Sequence, residues 1–280
     1  MAGNVAQDPA VHALLTSLPP PWRDGTLTPI MAGLTNRNYR LRLPSGRSYF
    51  LRQGHPQPQR LGIDRATEWQ LYEGAMAMGL APPCHYQDPL ADLLLLTWCD
   101  EPTWQQAPPP RPAQPALLAS ALLTLHRLPL PKVVMAVRAH AAAYRARLTA
   151  PPHWLPALER GVLASHEPNN DWRPCHHDLN PANLMGGRPW IIDWEYGAAG
   201  HPGFELASIQ RTHGWQPNER EALEAHYLQA QPRHLRIPFQ SEAFLPWVDY
   251  IALLWALLMA EQQPRCDYQQ LIDSNRQRLE

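Results

Sequence analysis

The sequence predicts an α+β chain of two lobes: a small β-rich N-terminal lobe over 1–98 and a larger helical lobe over 99–280. Three observations carry this. The 280 residues are enough for one large domain or two modest lobes around a real core. Residues 37–53, RNYRLRLPSGRSYFLRQ, alternate Tyr39, Leu41 and Leu43 with arginines, turn at Pro44-Ser45-Gly46, and resume as Tyr49-Phe50-Leu51, the pattern of a β-hairpin. From about residue 115 onward apolar residues recur mostly at helical spacing.

Taken in order, 10–18 predicts a short helix ended by the prolines at 19–21. Residues 64–79 predict a helix capped by Asp64, with Trp69, Tyr72 and Met76 at helical spacing and Gly79 and Pro82-Pro83 ending it. Leu93 to Trp98 is a short apolar run that fits a buried strand, and a connector follows near 97–101. The proline-rich stretch 105–115 is a surface spacer. Helices are expected near 115–128, 133–148, 155–165, 203–213, 218–229 and 241–262. The last shows Phe244, Val248, Ile251, Trp255 and Leu258 at helical spacing.

Composition narrows the function classes. Hydrophobic residues make up 45% of the chain, which marks a globular protein. A net charge of -1 gives no support for a nucleic-acid partner. No uninterrupted apolar stretch of membrane-spanning length stands out, and the N-terminus lacks a basic start followed by a long apolar run. Cys84, Cys99, Cys175 and Cys266 form no C-x-x-C pair, which fits free thiols and a cytoplasmic location. Lys132 is the only lysine. It lies between Pro131 and Val133, so no P-loop of the form G-x-x-x-x-G-K-[ST] exists. A site for nucleotide phosphates would have to use arginine.

The chemistry concentrates in 175–196, CHHDLNPANLMGGRPWIIDWEY. Phosphoryl transfer needs a carboxylate to orient and deprotonate a hydroxyl, oxygen ligands for Mg²⁺, and a cation for the phosphate tail. His176-His177-Asp178-Leu179-Asn180-Pro181-Ala182-Asn183 offers H-x-D-x-x-x-x-N, with Asp178 as base and Asn183 as metal ligand. Pro189 to Ile192 would return Asp193 to the same place on a strand end. Two other readings compete. Cys175-His176-His177-Asp178 could hold a transition metal, as in a metallohydrolase, but no second cluster completes it and adjacent side chains rarely converge on one ion. Asp178 and Asp193 could be loop-capping acids.

H-x-D-x-x-x-x-N followed by I-D-W-E-Y at 192–196 resembles the choline kinase, thiamine kinase and aminoglycoside phosphotransferase superfamily. That superfamily shares the bilobal protein-kinase-like fold. G-L-T-N-R-N-Y at 33–39 is similar to its phosphate-covering loop. Y-F-L-R at 49–52 resembles the choline and thiamine branch, in which arginine replaces lysine, and D-R-A-T-E at 64–68 resembles the helix whose acid pairs with that cation. The resemblance implies ATP and Mg²⁺ as cofactors. It implies Asp178 as base, His176 as the residue that orients the catalytic loop, and Asn183 and Asp193 as Mg²⁺ ligands. Arg52 would bind phosphate with Glu68 as its partner, and Gly33, Thr35 and Asn36 would lie over the phosphates. The loop departs from a strict G-x-G-x-x-G.

The expected acceptor is a small-molecule alcohol, with no nucleic acid and no membrane as partner. Glu195, with Trp194 beside it, and Trp255 are candidates for binding a cationic acceptor through charge and cation–π attraction. Chain length, L-P-W at 245–247 and L-L-x-L-H ending at His126 resemble thiamine kinases, whereas L-L-W-A-L at 253–257 resembles choline kinases. Thiamine stands slightly ahead, and choline or ethanolamine stays open. An aminoglycoside would need a broad acidic surface, which the sequence lacks. A nucleotide-binding pseudokinase is disfavoured by the complete Asp178, Asn183 and Asp193 set.

Overall fold

The structure, a computed structural model, describes residues 9–30, 36–165, 171–231, 240–262 and 265–280. The chain divides into two compact units, Met1–Pro58 with Ala81–Glu101, and Gln59–Leu80 with Pro102–Glu280.

The first unit holds a five-stranded antiparallel sheet and the helix α1 (Pro9–Ser17). Its strands are β1 (Thr26–Ile30), β2 (Arg37–Arg42), β3 (Ser48–Gln53), β4 (Cys84–Asp88) and β5 (Leu93–Thr97), in spatial order β1-β2-β3-β5-β4. The hairpin falls where alternation puts it, with Tyr39 opposite Leu51 and Asn38 opposite Arg52. Gly46, at φ 86°, sits in the turn, a backbone region that L side chains avoid. Leu41, Leu51 and Leu95 are fully buried and pack with Leu14 and Leu18 of the N-terminal segment. β1 and β4 were not evident in the sequence. Pro29 interrupts the first, and Cys-His-Tyr-Gln-Asp shows no apolar alternation in the second.

The second unit begins with α2 (Arg65–Ala77), capped as expected by Asp64, whose side chain accepts from Thr67 N at 2.8 Å. This helix belongs to the larger unit. The helices α3 (Gln114–Leu125), α4 (Val137–Arg147), α5 (Leu155–Leu163), α6 (Pro202–Thr212), α7 (Pro217–Gln229), α8 (Leu245–Gln262) and α9 (Cys266–Leu279) follow. Two short antiparallel pairs lie among them: β6 (Arg173–Cys175) with β9 (Ala198–Gly200), and β7 (Leu184–Met185) with β8 (Trp190–Ile191).

α8 is apolar on all sides, as a helix enclosed by others must be. By length and a mean hydropathy of 1.7, Ser241–Gln262 would be long enough to cross a membrane, contrary to the sequence expectation. Its 61% burial and the packing of Trp247, Leu253, Leu254 and Leu258 make it the centre of the core. Asp249, 1% exposed on this helix, is held by Arg211 at 2.7 Å and Arg278 at 3.0 Å, the pairing a buried charge requires. α9 was missed because Cys-Asp-Tyr-Gln-Gln opens a mostly polar helix that buries only Tyr268, Ile272 and Asn275.

Candidate active site

Strand β6 ends at Cys175 and the chain enters a loop closed by two adjacent N–H contacts. His176 N and His177 N both donate to Glu205 Oε1, at 2.6 and 2.9 Å. His177 adopts φ 65°, a left-handed conformation uncommon outside glycine and costing on the order of 1–3 kcal/mol. The turn aims the next residue, Asp178, away from the strand direction.

His176 has no exposed surface, and burial lowers its ring to about 4, so it is neutral at pH 7. Asp178 N donates to its Nδ1 at 3.2 Å, which fixes the proton on Nε2. Nε2 then donates to Ile192 O at 3.0 Å. Ile192 N donates in turn to Asn183 O at 3.0 Å. His176 and Asn183 therefore grip the carbonyl and the N–H of one residue, Ile192, and the residue after it is Asp193. The strand that separates Asp178 from Asp193 in sequence is what brings them together. Asp193 also has a left-handed backbone, at φ 62°.

Asn180 caps the short helix Pro181–Asn183 by accepting from Ala182 N at 2.8 Å. Its amide donates to Asp178 Oδ1 at 2.8 Å, and Asn183 Nδ2 donates to Asp178 Oδ2 at 2.8 Å. Each carboxylate oxygen is thus held by one amide. Burial pushes the Asp178 carboxyl up to about 7 and the charge of Glu195 adds to this, while the two amides act in the opposite direction. A base near the working pH is suited to proton transfer.

Because Asn183 donates through Nδ2, its Oδ1 is turned away from Asp178. That amide oxygen and the Asp193 carboxylate form a hard, all-oxygen donor set of the kind Mg²⁺ takes. The residues present fit the ion.

Glu195 is 2% exposed, with Oε2 3.4 Å from Arg65 Nη1. The same Nη1 lies 2.8 Å from Glu68 Oε2. Arg52, buried on β3, lies 3.6 Å from Asp92 of its own unit. Within its own unit, then, each member of the Arg52–Glu68 pair suggested by the sequence has another partner. Asn36 Oδ1 accepts from His55 N at 3.1 Å, whereas Gly33 and Thr35 lie outside the described residues.

The Trp194 ring is 1% exposed, packs edge-on against His176 with ring centroids 4.8 Å apart, and donates to Ile191 O. It supports the loop from within. Trp255 Nε1 donates to Tyr196 Oη at 2.9 Å, and both rings are only partly buried. Arg65, Asn180 and Glu205 were missed by sequence reasoning. Asn180 was legible as an Asx cap before Pro181; Glu205 signals only as an acid in the first turn of a mostly apolar helix.

Burial also lowers His140, His177, His201 and His213 to about 4. With His176 these five rings are neutral when folded and bind a proton near pH 6.5 when unfolded. Stability is therefore complete above about pH 6.5 and falls as pH drops toward 4. Each fully buried ring costs on the order of 1 kcal/mol by pH 5.5. Asp178, with its raised value, works the other way and is one group against five. Glu205, held at about 2 with His126 beside it, loses its contribution only as pH falls from 4.5 through 2. Melting temperature is expected to fall by about 10 °C between pH 7.5 and 5.5. A flat profile in calorimetry would show that these rings are solvated.

A family model described as the phosphotransferase enzyme family matches residues 26–237. No curated protein matches the chain. Among solved structures, a choline/ethanolamine kinase family protein from Mesorhizobium loti superposes with TM-score 0.73 at 23% identity, covering 96% of this chain and 92% of that one. Choline kinase LicA from Streptococcus pneumoniae gives 0.73 at 20% identity over 89% and 91%. LicA in complex with AMP gives 0.74 at 18% identity over 96% of each chain. At these identities the likeness shows a shared fold.

Proposed function

The chain belongs to the phosphotransferase enzyme family, and we propose that it moves the γ-phosphate of ATP to the primary hydroxyl of a small cationic alcohol. It is a small-molecule phosphotransferase; the acceptor and the residue roles are our reading. The acceptor class put forward is thiamine-like first, choline or ethanolamine second. The observation that carries this is Glu195, a buried carboxylate two residues beyond Asp193 whose charge adds to the upward shift of the Asp178 carboxyl. A buried carboxylate suits an organic cation.

In this reading the acceptor hydroxyl meets Asp178, whose two oxygens are already oriented by Asn180 and Asn183. As the new O–P bond forms, the hydroxyl proton passes to Asp178, the bond from γ-phosphorus to the bridging oxygen breaks, and ADP leaves. Asn183 and Asp193 are the residues that would hold Mg²⁺, which supplies charge neutralisation of the phosphates when bound. In the smaller unit, Arg52 and Asn36 keep the phosphate-binding roles that the sequence resemblance implies, as do Gly33 and Thr35.

The test is a Mg²⁺-ATP assay against thiamine, choline, ethanolamine and aminoglycosides. Turnover is expected with a cationic primary alcohol. Turnover only with aminoglycosides, or with none, would reject the acceptor class. Glu195→Gln is expected to raise KM for the acceptor about tenfold, corresponding to about 1.4 kcal/mol, with little change in KM for ATP. Equal effects on both constants would remove Glu195 from the acceptor side.

A further inference from the structure

Arg65 opens α2, directly after the Asp64 cap. A cation in the first turn of a helix lies at the positive end of the backbone dipole, the less favourable end. The helix itself therefore does not account for this arginine, but its surroundings do. One nitrogen, Nη1, lies 2.8 Å from Glu68 Oε2 and 3.4 Å from Glu195 Oε2. Glu68 and Glu195 are 5% and 2% exposed, and all three residues belong to one compact unit. A buried carboxylate is costly unless a cation or hydrogen bonds meet it.

The two contacts are unequal. Glu68 sits three positions along the same helix, on the face that Arg65 occupies, and its distance is that of a charge-assisted hydrogen bond. Glu195 is 130 positions away in the chain, and its distance is at the long end for a hydrogen bond. Glu68 thus sets the guanidinium, and the guanidinium bears on Glu195 mainly as a charge.

The backbone that carries Glu195 is set against the same helix. Gly197 has no room for a side chain, because a Cβ there would lie 2.7 Å from Leu71 Cδ1 and 3.0 Å from Trp194 O. Leu71 is itself buried on α2. Helix, guanidinium and carboxylate therefore keep fixed places relative to one another. A charge held in advance binds an incoming ion with less loss of freedom than a mobile one.

We propose that Arg65 is a positioning residue for the acceptor: anchored on Glu68, it keeps the Glu195 carboxylate in place, so that the site selects a cationic alcohol over a neutral one. The kinetic consequence rests on Glu195 as the acceptor carboxylate; the bridge itself rests on geometry alone. A buried carboxylate that loses a neighbouring cation moves toward its neutral form, and a neutral acid does not attract a cation.

The test is steady-state turnover of Mg²⁺-ATP with matched pairs of alcohols: choline against its neutral carbon isostere dimethylbutanol, and thiamine against its neutral thiophene isostere deazathiamine. In Arg65→Met, KM for the cationic alcohol is expected to rise about tenfold, the order of one lost contact to a charged group. KM for the neutral isostere and for ATP should stay near wild type. Arg65→Lys keeps the charge and should recover most of the loss. Arg65→Met joined to Glu195→Gln should be no worse than Glu195→Gln alone, because both act through one carboxylate. Equal losses for cation and isostere would overturn the proposal and leave Arg65 a structural brace. A lower KM for the cation in Arg65→Met would also overturn it, since Arg65 would then compete with the acceptor. Strictly additive effects in the double variant would do the same. If Arg65→Met does not fold, Arg65→Gln, which keeps a donor without the charge, takes its place under the same criteria. Chemical unfolding of the wild type, the two single variants and the double variant separates the bridge from the acceptor reading. Turnover with none of these alcohols would reject the acceptor reading and the selectivity with it. Less-than-additive losses of stability would then leave the bridge between Arg65 and Glu195 standing, and additive losses would reject the bridge as well.

Discussion

Asp178→Asn is expected to remove nearly all turnover while leaving ATP affinity within a few-fold. Loss of a positioned base costs about 10²–10⁴-fold, and loss of orientation adds to that. The geometry supports the larger end. Each Asp178 oxygen accepts from one amide, Asn180 on one side and Asn183 on the other. An asparagine there offers one acceptor and one donor, so one neighbouring amide faces another N–H and turns away. The same change should raise the melting temperature. Burial lifts the aspartate to about 7, which means its ionised form is held at a cost the amide does not incur. An inactive protein that melts higher is the expected outcome. A variant with near-wild-type kcat would take Asp178 out of the base role.

The second large effect is expected at Asp193. Asp193→Ala should abolish Mg²⁺-dependent nucleotide binding, and Asn183→Ala should weaken it less. A carboxylate brings a full charge to a hard cation and an amide oxygen only a dipole. Asn183 also has a second task, because its Nδ2 holds Asp178 O and Oδ2. Asn183→Ala should therefore lower kcat beyond its effect on Mg²⁺, whereas Asp193→Ala should act through nucleotide binding. Titrating Mg²⁺ against nucleotide affinity and against rate separates the two. Identical Mg²⁺ dependence in both variants would contradict the unequal roles.

The parts of this site that the sequence made legible are the local ones. Asp178, Asn183 and Asp193 lie within 16 positions of each other, and the short β7–β8 hairpin lies between Asn183 and Asp193. The β2–β3 hairpin and the Asp64 cap were equally readable, because alternation and capping act over a few residues. What could not be read depends on pairs far apart in the chain. Arg65 meets Glu195 across 130 positions and His126 meets Glu205 across 79. No short pattern encodes such contacts. Trp194 shows another limit: sequence position placed it beside Glu195, but its ring turns inward onto His176.

The scarcity of lysine has a practical consequence. Lys132 is exposed in the segment between α3 and α4, and it is the one amine-bearing side chain in the sequence. Its neighbour Val133 accepts from Ala199 N at 2.9 Å, and Met135 N donates to Ala199 O at 2.8 Å. Ala199 lies on β9, paired with the strand that leads into His176. An amine-reactive fluorophore, applied after the terminal amine has been chemically blocked, would mark one defined point without engineering. It would sit two strands from the catalytic loop, placed to report on that loop in a protein otherwise left as it is.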